Sequence, residues 1–189
     1  MCHSDSITKL ENALNGAISV ATKRNIPPLK GCTLLLVAGG YQMKVAKMAG
    51  KSKKITSALD VALLLSQMCK ASCENVKYVL FRAGCIQEKL DNLDKSGNLL
   101  DNVKQLSEEL SHHVYSMYCL DKLVNDYLMD FLRHEVRFDN VVLVHGGFFE
   151  SKTPFMNWLD QYRVLVNPNM IFADIDVLGK SGELPIILQ

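Results

Sequence analysis

The chain has 189 residues, of which 48% are hydrophobic and 22% charged, and its formal net charge is +1 at pH 7. This balance is ordinary for one globular domain, and a near-neutral charge does not by itself indicate a nucleic-acid or membrane partner. Apolar runs such as 34–40 are far shorter than the roughly 18 residues that a membrane-spanning helix needs, so we expect no such segment.

Four elements are predicted in the first half of the chain. A helix carries apolar residues at positions 7, 10, 14, 17 and 21, and Pro27-Pro28 end it because proline cannot continue a helix. Residues 33–37 form an uninterrupted apolar run, which is typical of a parallel strand covered on both faces. A helix at 55–69 and a strand at 76–83 follow.

The second half continues this alternation of helices and strands. Its predicted elements are helices around 99–110 and 120–132, a strand at 140–144, a helix that begins near Thr153-Pro154, and strands at 170–177 and 184–188. The order predicts an α/β fold in which a mostly parallel central sheet has helices on both faces, giving three layers. We expect a single domain that spans 1–189.

Cysteine usage indicates a reducing compartment. The six cysteines form no C-x-x-C pair, and Cys69 and Cys73 are one helical turn apart without histidines at matching intervals. We therefore expect buried, reduced thiols rather than a zinc site, and a cytoplasmic or nuclear location.

Nucleotide-binding motifs are incomplete in this sequence. Gly50-Lys51-Ser52 ends like a phosphate-binding loop, but the G-x-x-x-x-G-K-[ST] pattern requires glycine where the chain has Val45. The string at 179–181 fails in the same way, and no G-x-G-x-x-G fingerprint is present.

A hydrolase is the alternative hypothesis. The turn His145-Gly146-Gly147 after a buried strand is of the kind that supplies oxyanion-hole amides in esterases. However, the nearest approach to a G-x-S-x-G elbow, at 179–183, lacks the last glycine, and no histidine follows His145 to complete a triad. We interpret His145 as a strand-end side chain that fills space, and an esterase-type small-molecule hydrolase stays as the alternative function.

Two groups of charged residues are candidate binding sites. Asp174 and Asp176 are two apart in a predicted strand and point to one face, which suits either a hard cation or a solvated strand end. Five lysines near the strand ends are a candidate surface for RNA phosphates or simply a solvated loop: Lys44, Lys47, Lys51, Lys53 and Lys54. Aromatic interleaving, which favours single-stranded RNA binding, is absent beyond Tyr41.

The element order and three local strings resemble a known family. VKYVLFRA, VVLVHGG and LDQYRVLVNPNMIFADIDV are similar to strands and closing elements of a von Willebrand factor A domain. In detail, the pattern resembles the A-like domain of the TROVE family, which includes the Ro autoantigen and a telomerase- and vault-associated protein. The resemblance covers nearly the whole chain and implies a piece of a larger ribonucleoprotein component.

The resemblance also implies that a metal-binding site has been lost. Domains of this class hold Mg²⁺ with an Asp-x-Ser-x-Ser turn after the first strand and an aspartate after a later one. The matching positions here are Ala38, Gly40 and Gln42 in the first turn and Gly146 or Gly147 in the later one. None of them supplies a carboxylate to a hard cation. The resemblance therefore implies a degenerate metal site without a cofactor.

The expected function is a non-enzymatic interaction or scaffold domain of a telomerase- or vault-type ribonucleoprotein. Its expected partners are proteins of the particle, with at most a weak RNA contact through the five lysines and no membrane.

Overall fold

The computed structural model describes residues 2–39, 41–46, 57–82, 85–88, 98–111, 120–146, 153–179 and 186–188. The strands are β1 (Leu29–Ala38), β2 (Cys73–Arg82), β3 (Cys85–Glu88), β4 (Asn140–His145), β5 (Ile171–Asp176) and β6 (Ile186–Leu188). The helices are α1 (Cys2–Asn25), α2 (Tyr41–Val45), α3 (Ala58–Ser72), α4 (Leu99–Ser111), α5 (Leu120–Leu123), α6 (Met129–Arg133) and α7 (Thr153–Leu165), with a π-helical turn, Val124–Leu128, between α5 and α6.

The strands form one six-stranded sheet in the order β3-β2-β1-β4-β5-β6. The four central strands are parallel to one another, whereas β3 and β6 pair antiparallel at the two edges. Every residue of β4 is buried, and residues 34–38 of β1 are fully buried. The predicted α/β class with a mostly parallel central sheet is confirmed.

Two adjacent residues of β2 show that helices cover both faces, since neighbouring side chains of a strand point to opposite sides. Tyr78 is fully buried, and its hydroxyl lies 2.9 Å from the hydroxyl of Ser66 in α3. Lys77 lies on the other face, with its Nζ 4.9 Å from the ring centre of Phe131 in α6. The sheet is therefore the middle of three layers.

Aromatic side chains of α7 fill the core on the α6 face. Trp158 and Tyr162 are fully buried, with ring centres 5.1 Å apart. The Trp158 indole N–H donates to the Leu128 carbonyl at 2.9 Å, within the π-helical turn. A π-helical turn shifts the backbone hydrogen-bond register and leaves a carbonyl for such a partner. The predicted helix at 120–132 is therefore interrupted where α7 packs against it.

Local hydrogen bonds move two predicted boundaries. The helix expected at 55–69 begins at Ala58 because Ser57 and Asp60 form a capping box, in which each side chain bonds the other residue's backbone amide. This helix continues to Ser72, and β2 begins at Cys73, three residues before the predicted strand. The Cys73 thiol donates to the Cys69 carbonyl at 3.1 Å, but Cys73 is the first residue of β2, so the two cysteines do not share a helix face as predicted.

Gly31 occupies a position in β1 that favours glycine. Its φ of +77° lies in the left-handed region, and a Cβ there would overlap Asp139 Oδ2, which accepts a hydrogen bond from the Cys32 amide at 2.9 Å. The Gly31 amide in turn donates to Glu74 Oε2 at 2.8 Å. Carboxylates from two other segments therefore fix the amino-terminal part of β1.

Replacing two glycines by alanine is expected to change stability in opposite directions. Gly31→Ala introduces left-handed strain and displaces Asp139, so we expect the free energy of unfolding to fall by about 1–3 kcal/mol. Gly16→Ala, in α1, meets nothing within 4 Å and should raise it by about 0.5–1 kcal/mol. Urea denaturation followed by circular dichroism measures both; equal effects would contradict the assigned backbone at Gly31.

Candidate functional site at the carboxyl edge of the sheet

The candidate site lies where β1 and β4 end side by side. Val37 pairs with Val144 in the parallel register, so the turns that follow the two strands leave the same edge. Ligands of open α/β sheets bind at this edge. Ala38, the first position of the expected degenerate metal site, is fully buried, and the next amide, Gly39 N–H, donates to the Phe81 carbonyl of β2 at 2.8 Å.

A methionine of α2 packs against the residue that follows β4. Met43 of α2 is fully buried. A Cβ built on Gly146, directly after β4, would lie 2.7 Å from Met43 Cγ and 3.3 Å from both Met43 Sδ and Leu178 Cδ1. The Met43 side chain therefore packs directly on the Gly146 backbone. A thioether and aliphatic carbons offer nothing to a hard divalent cation, which requires oxygen ligands.

His145 is held by an acidic residue of β5, Asp174. It is fully buried, and its Nε2 lies 2.7 Å from Asp174 Oδ1, whereas its Nδ1 lies 4.0 Å from Asp176 Oδ1. A carboxylate only accepts hydrogen bonds, so Nε2 carries the hydrogen. His145 is buried at the end of β4, as interpreted from the sequence, and its contact with Asp174 is an addition that the sequence did not indicate. Its imidazole ties the end of β4 to β5.

Asp174 and Asp176 share a face, as the sequence predicted, but that face is turned to His145. Asp176 Oδ1 also accepts hydrogen bonds from the amides of Leu178 and Gly179, at 3.0 and 3.3 Å. Among the described residues, no group of three or more histidine, cysteine or acidic side chains is placed to hold a metal ion. Asp174 therefore binds His145, and Asp176 organises the described residues that follow β5.

The remaining predicted site residues are only partly described. Lys44 is exposed at the end of α2, and Gln42 belongs to the same helix, although its side chain is not described. The other positions lie outside the described residues: Gly40, Lys47, Lys51, Lys53, Lys54 and Gly147. Lys44 is thus the member of the lysine group that the structure places, close in the chain to the buried Met43.

Two described cysteines, Cys32 and Cys69, are poor nucleophiles. Burial, followed by the neighbouring Cys73, raises the pKa of the Cys69 thiol to about 11. Burial, followed by the nearby Asp139 carboxylate, also raises the pKa of Cys32. Because the thiolate is the reactive form, these two groups remain unreactive thiols at neutral pH.

The architecture is that of an α/β domain of the von Willebrand A or Rossmann-like kind. Among solved structures, the RO (RSR) protein of Deinococcus radiodurans contains a similar fold, with a TM-score of 0.59 over 89% of this chain at 14% sequence identity. The match covers 32% of that protein's chain, so this chain spans about a third of its length. At the level of fold, the match agrees with the sequence's resemblance to the TROVE family.

No family model matches the chain, and no curated protein matches it in sequence. No helix among the described residues is long and apolar enough to cross a membrane.

Two features of the site went unrecognised in the sequence. The first is Met43, which resembles any other apolar helix residue until its contact with Gly146 is known. The second is the pairing of His145 with Asp174, residues 29 apart in the chain. The available signal was that β4 and β5 are adjacent parallel strands whose ends carry complementary groups.

Two substitutions that occupy the same space are expected to compensate each other. Gly146→Ala should lower the free energy of unfolding by about 1–3 kcal/mol because the added methyl group would overlap Met43. Met43→Ala should cost about 2–5 kcal/mol through the cavity it leaves. The double variant should cost less than the sum, by about 1 kcal/mol or more, because the new methyl group enters that cavity. Denaturant unfolding of all four proteins gives this coupling energy.

Met129→Ala is the matched control, since Met129 is a partly buried methionine of α6. Its cost should add to that of Gly146→Ala without coupling. Additive costs for the Met43 pair as well would contradict direct packing between the two turns.

Proposed function

We propose that the chain is a non-enzymatic interaction domain of a ribonucleoprotein, of the A-like type found in the TROVE family, with a degenerate metal site. The observation that carries the proposal is the fold shared with the RO (RSR) protein of Deinococcus radiodurans over 89% of this chain. The Ro autoantigen belongs to the family that the sequence resembles. Within that family, we assign the chain to the telomerase- and vault-associated type, with protein partners in the particle.

The packing at the carboxyl edge supports the loss of metal binding. An A-type site requires oxygen ligands from the turns after β1 and β4, but Ala38 is buried without a side-chain oxygen and Met43 packs on Gly146. Gly40, Gln42 and Gly147 complete the proposed degenerate site, and their side chains supply no carboxylate. The domain would then bind its partners through surfaces that need no cation.

The lysine group supports a secondary contact with RNA. Lys44 is exposed beside the edge, and four more lysines follow within ten residues of it: Lys47, Lys51, Lys53 and Lys54. Lysines bind phosphates as point charges and release counterions when they do so. We propose that this contact is weak and independent of RNA sequence.

The burial of His145 weighs against the hydrolase alternative. A general base must reach the proton that it abstracts, whereas the His145 ring is fully buried with Nε2 engaged by Asp174. Turnover of generic ester substrates that Gly147→Pro abolishes would favour the hydrolase over the interaction domain.

Divalent cations are expected to leave the stability of the domain unchanged. A site with a dissociation constant near 0.1 mM would add about 2.7 kcal/mol at about 10 mM Mn²⁺. For a domain of this size, that gain would raise the melting temperature by about 5–10 °C. We expect a change below about 1 °C between Mn²⁺ and EDTA in differential scanning fluorimetry. A rise of several degrees would contradict the degenerate site and leave the ribonucleoprotein assignment standing.

RNA binding is expected to be weak and steeply dependent on salt. We expect a dissociation constant of roughly 10⁻⁴–10⁻⁶ M for a single-stranded oligonucleotide at physiological salt, with a log–log salt slope near −3.5 if all five lysines contact phosphates. The variant with Lys51, Lys53 and Lys54 changed to glutamine should reduce the magnitude of this slope by about 2.

Changing Lys9, Lys23 and Lys30 to glutamine is the matched control, because it removes the same number of positive charges from exposed positions elsewhere. Fluorescence anisotropy across a salt series measures both variants. Equal losses in the two variants, or tight binding that survives high salt, would contradict a contact made by the lysine group.

A further inference from the structure

Helix α1 lies against α3 and α4 with little of its own surface buried. Among its described side chains, 8–25, Thr22 is buried and the others are exposed except for four that are half-buried: Glu11, Asn15, Ile18 and Ala21. In α3, by comparison, eight of 15 residues are buried. Of the described apolar residues that pack in or against the core, none belongs to α1. Apolar burial therefore contributes little to holding α1 in place.

The hydrogen bonds at this interface can break without leaving a buried group unpaired. Asn15 Oδ1 accepts from the Leu100 amide at 3.3 Å, but Asn98 Oδ1 accepts from the same amide at 3.1 Å. The Thr22 hydroxyl donates to the Ile18 carbonyl at 2.8 Å, within α1 itself. The Leu100 amide and the Thr22 hydroxyl therefore both keep a partner if α1 moves away. The large cost of an unsatisfied buried polar group does not oppose such a movement.

An exposed ion pair links α1 to α4. Glu11 Oε1 lies 2.8 Å from Lys104 Nζ, and the two side chains are 42% and 57% exposed. Such a pair contributes little to stability, because water and salt screen it. Lys104 Nζ also lies 3.9 Å from Asp101 Oδ1 of its own helix, so its charge keeps a partner without α1.

A cleft of about 220 Å³ lies between the second half of α1 and the helices beneath it. Ser19 and Lys23 line the cleft from α1, whereas Ala71 and Leu99 line it from α3 and α4. Protein interiors are close-packed, and atoms that border a gap lose dispersion contacts on that side. This part of the interface therefore also adds little attraction.

We propose that α1 is a detachable arm, which releases from α3 and α4 as a unit while the sheet and the helices packed on it stay folded. Regions with few buried apolar contacts are those that open locally at low cost. Because α1 ends at Asn25 and β1 begins at Leu29, the released helix stays beside the domain and docks again readily. Release gives the domain a second state, in which the face formed by α3 and α4 is open to solvent.

Native-state hydrogen exchange of the full chain, followed by NMR in increasing urea below the unfolding transition, tests the proposal. We expect the amides of 12–22 to exchange through one common opening that urea promotes, at least about tenfold faster than the amides of β1 and β4. Exchange of 12–22 only together with β1 and β4, through global unfolding, would overturn the proposal. Rates that differ along 12–22 and do not respond to urea would also overturn it, because they indicate fraying of α1 rather than release as a unit.

Glu11→Gln is expected to promote release. Without the ion pair to Lys104, exchange of 12–22 should be about two- to fivefold faster, whereas β1 and β4 should be unaffected. Asp130→Asn is the matched control, because it removes an exposed ion pair of similar length, 3.0 Å to Arg133, within α6. No response of α1 to Glu11→Gln, or an equal response to Asp130→Asn, would contradict release of α1 from α4.

Discussion

The burial of β1 and β4 on both faces is the constraint on which the rest of the fold depends. Residues 34–38 of β1 and all of β4 are withdrawn from solvent, so each face of the sheet needs its own layer of helices. Parallel strands also leave the sheet at one edge, and the turns after β1 and β4 therefore converge. The close packing of Met43 on Gly146 follows from this convergence, because a glycine at position 146 permits α2 to approach the end of β4 closely.

Most of the architecture could be predicted because β1 and β4 are short, continuous apolar runs that are distinctive without tertiary information. The boundaries of the helices were harder to predict from the sequence. The beginning of α3 depends on the reciprocal bonds of Ser57 and Asp60, and the π-helical turn depends on the Trp158 indole, a residue thirty positions from Leu128. Hydrophobic periodicity does not encode such long-range partners. It also gave no indication that the apolar side of α1 faces outward.

The position of the candidate site could be predicted from the sequence, whereas the contacts between its side chains could not. The carboxyl edge follows from the parallel topology alone, and the sequence already indicated turns without carboxylates at Ala38 and Gly146. The pairing of His145 with Asp174 required the register of β4 against β5, in which Leu143 lies opposite Asp174 and His145 opposite Asp176. One position of error in that register would have turned the acidic side chains to the other face.

Because of its position, Trp158 is an intrinsic fluorescence probe of a single interface. It is the one tryptophan in the 189-residue chain, it is buried, and its indole is bonded to the carbonyl of Leu128. Its emission therefore reports the seating of α7 against the π-helical turn, on the side of the sheet away from α3. Events at α1, which packs on the α3 side, should leave that emission unchanged unless they reach across the sheet.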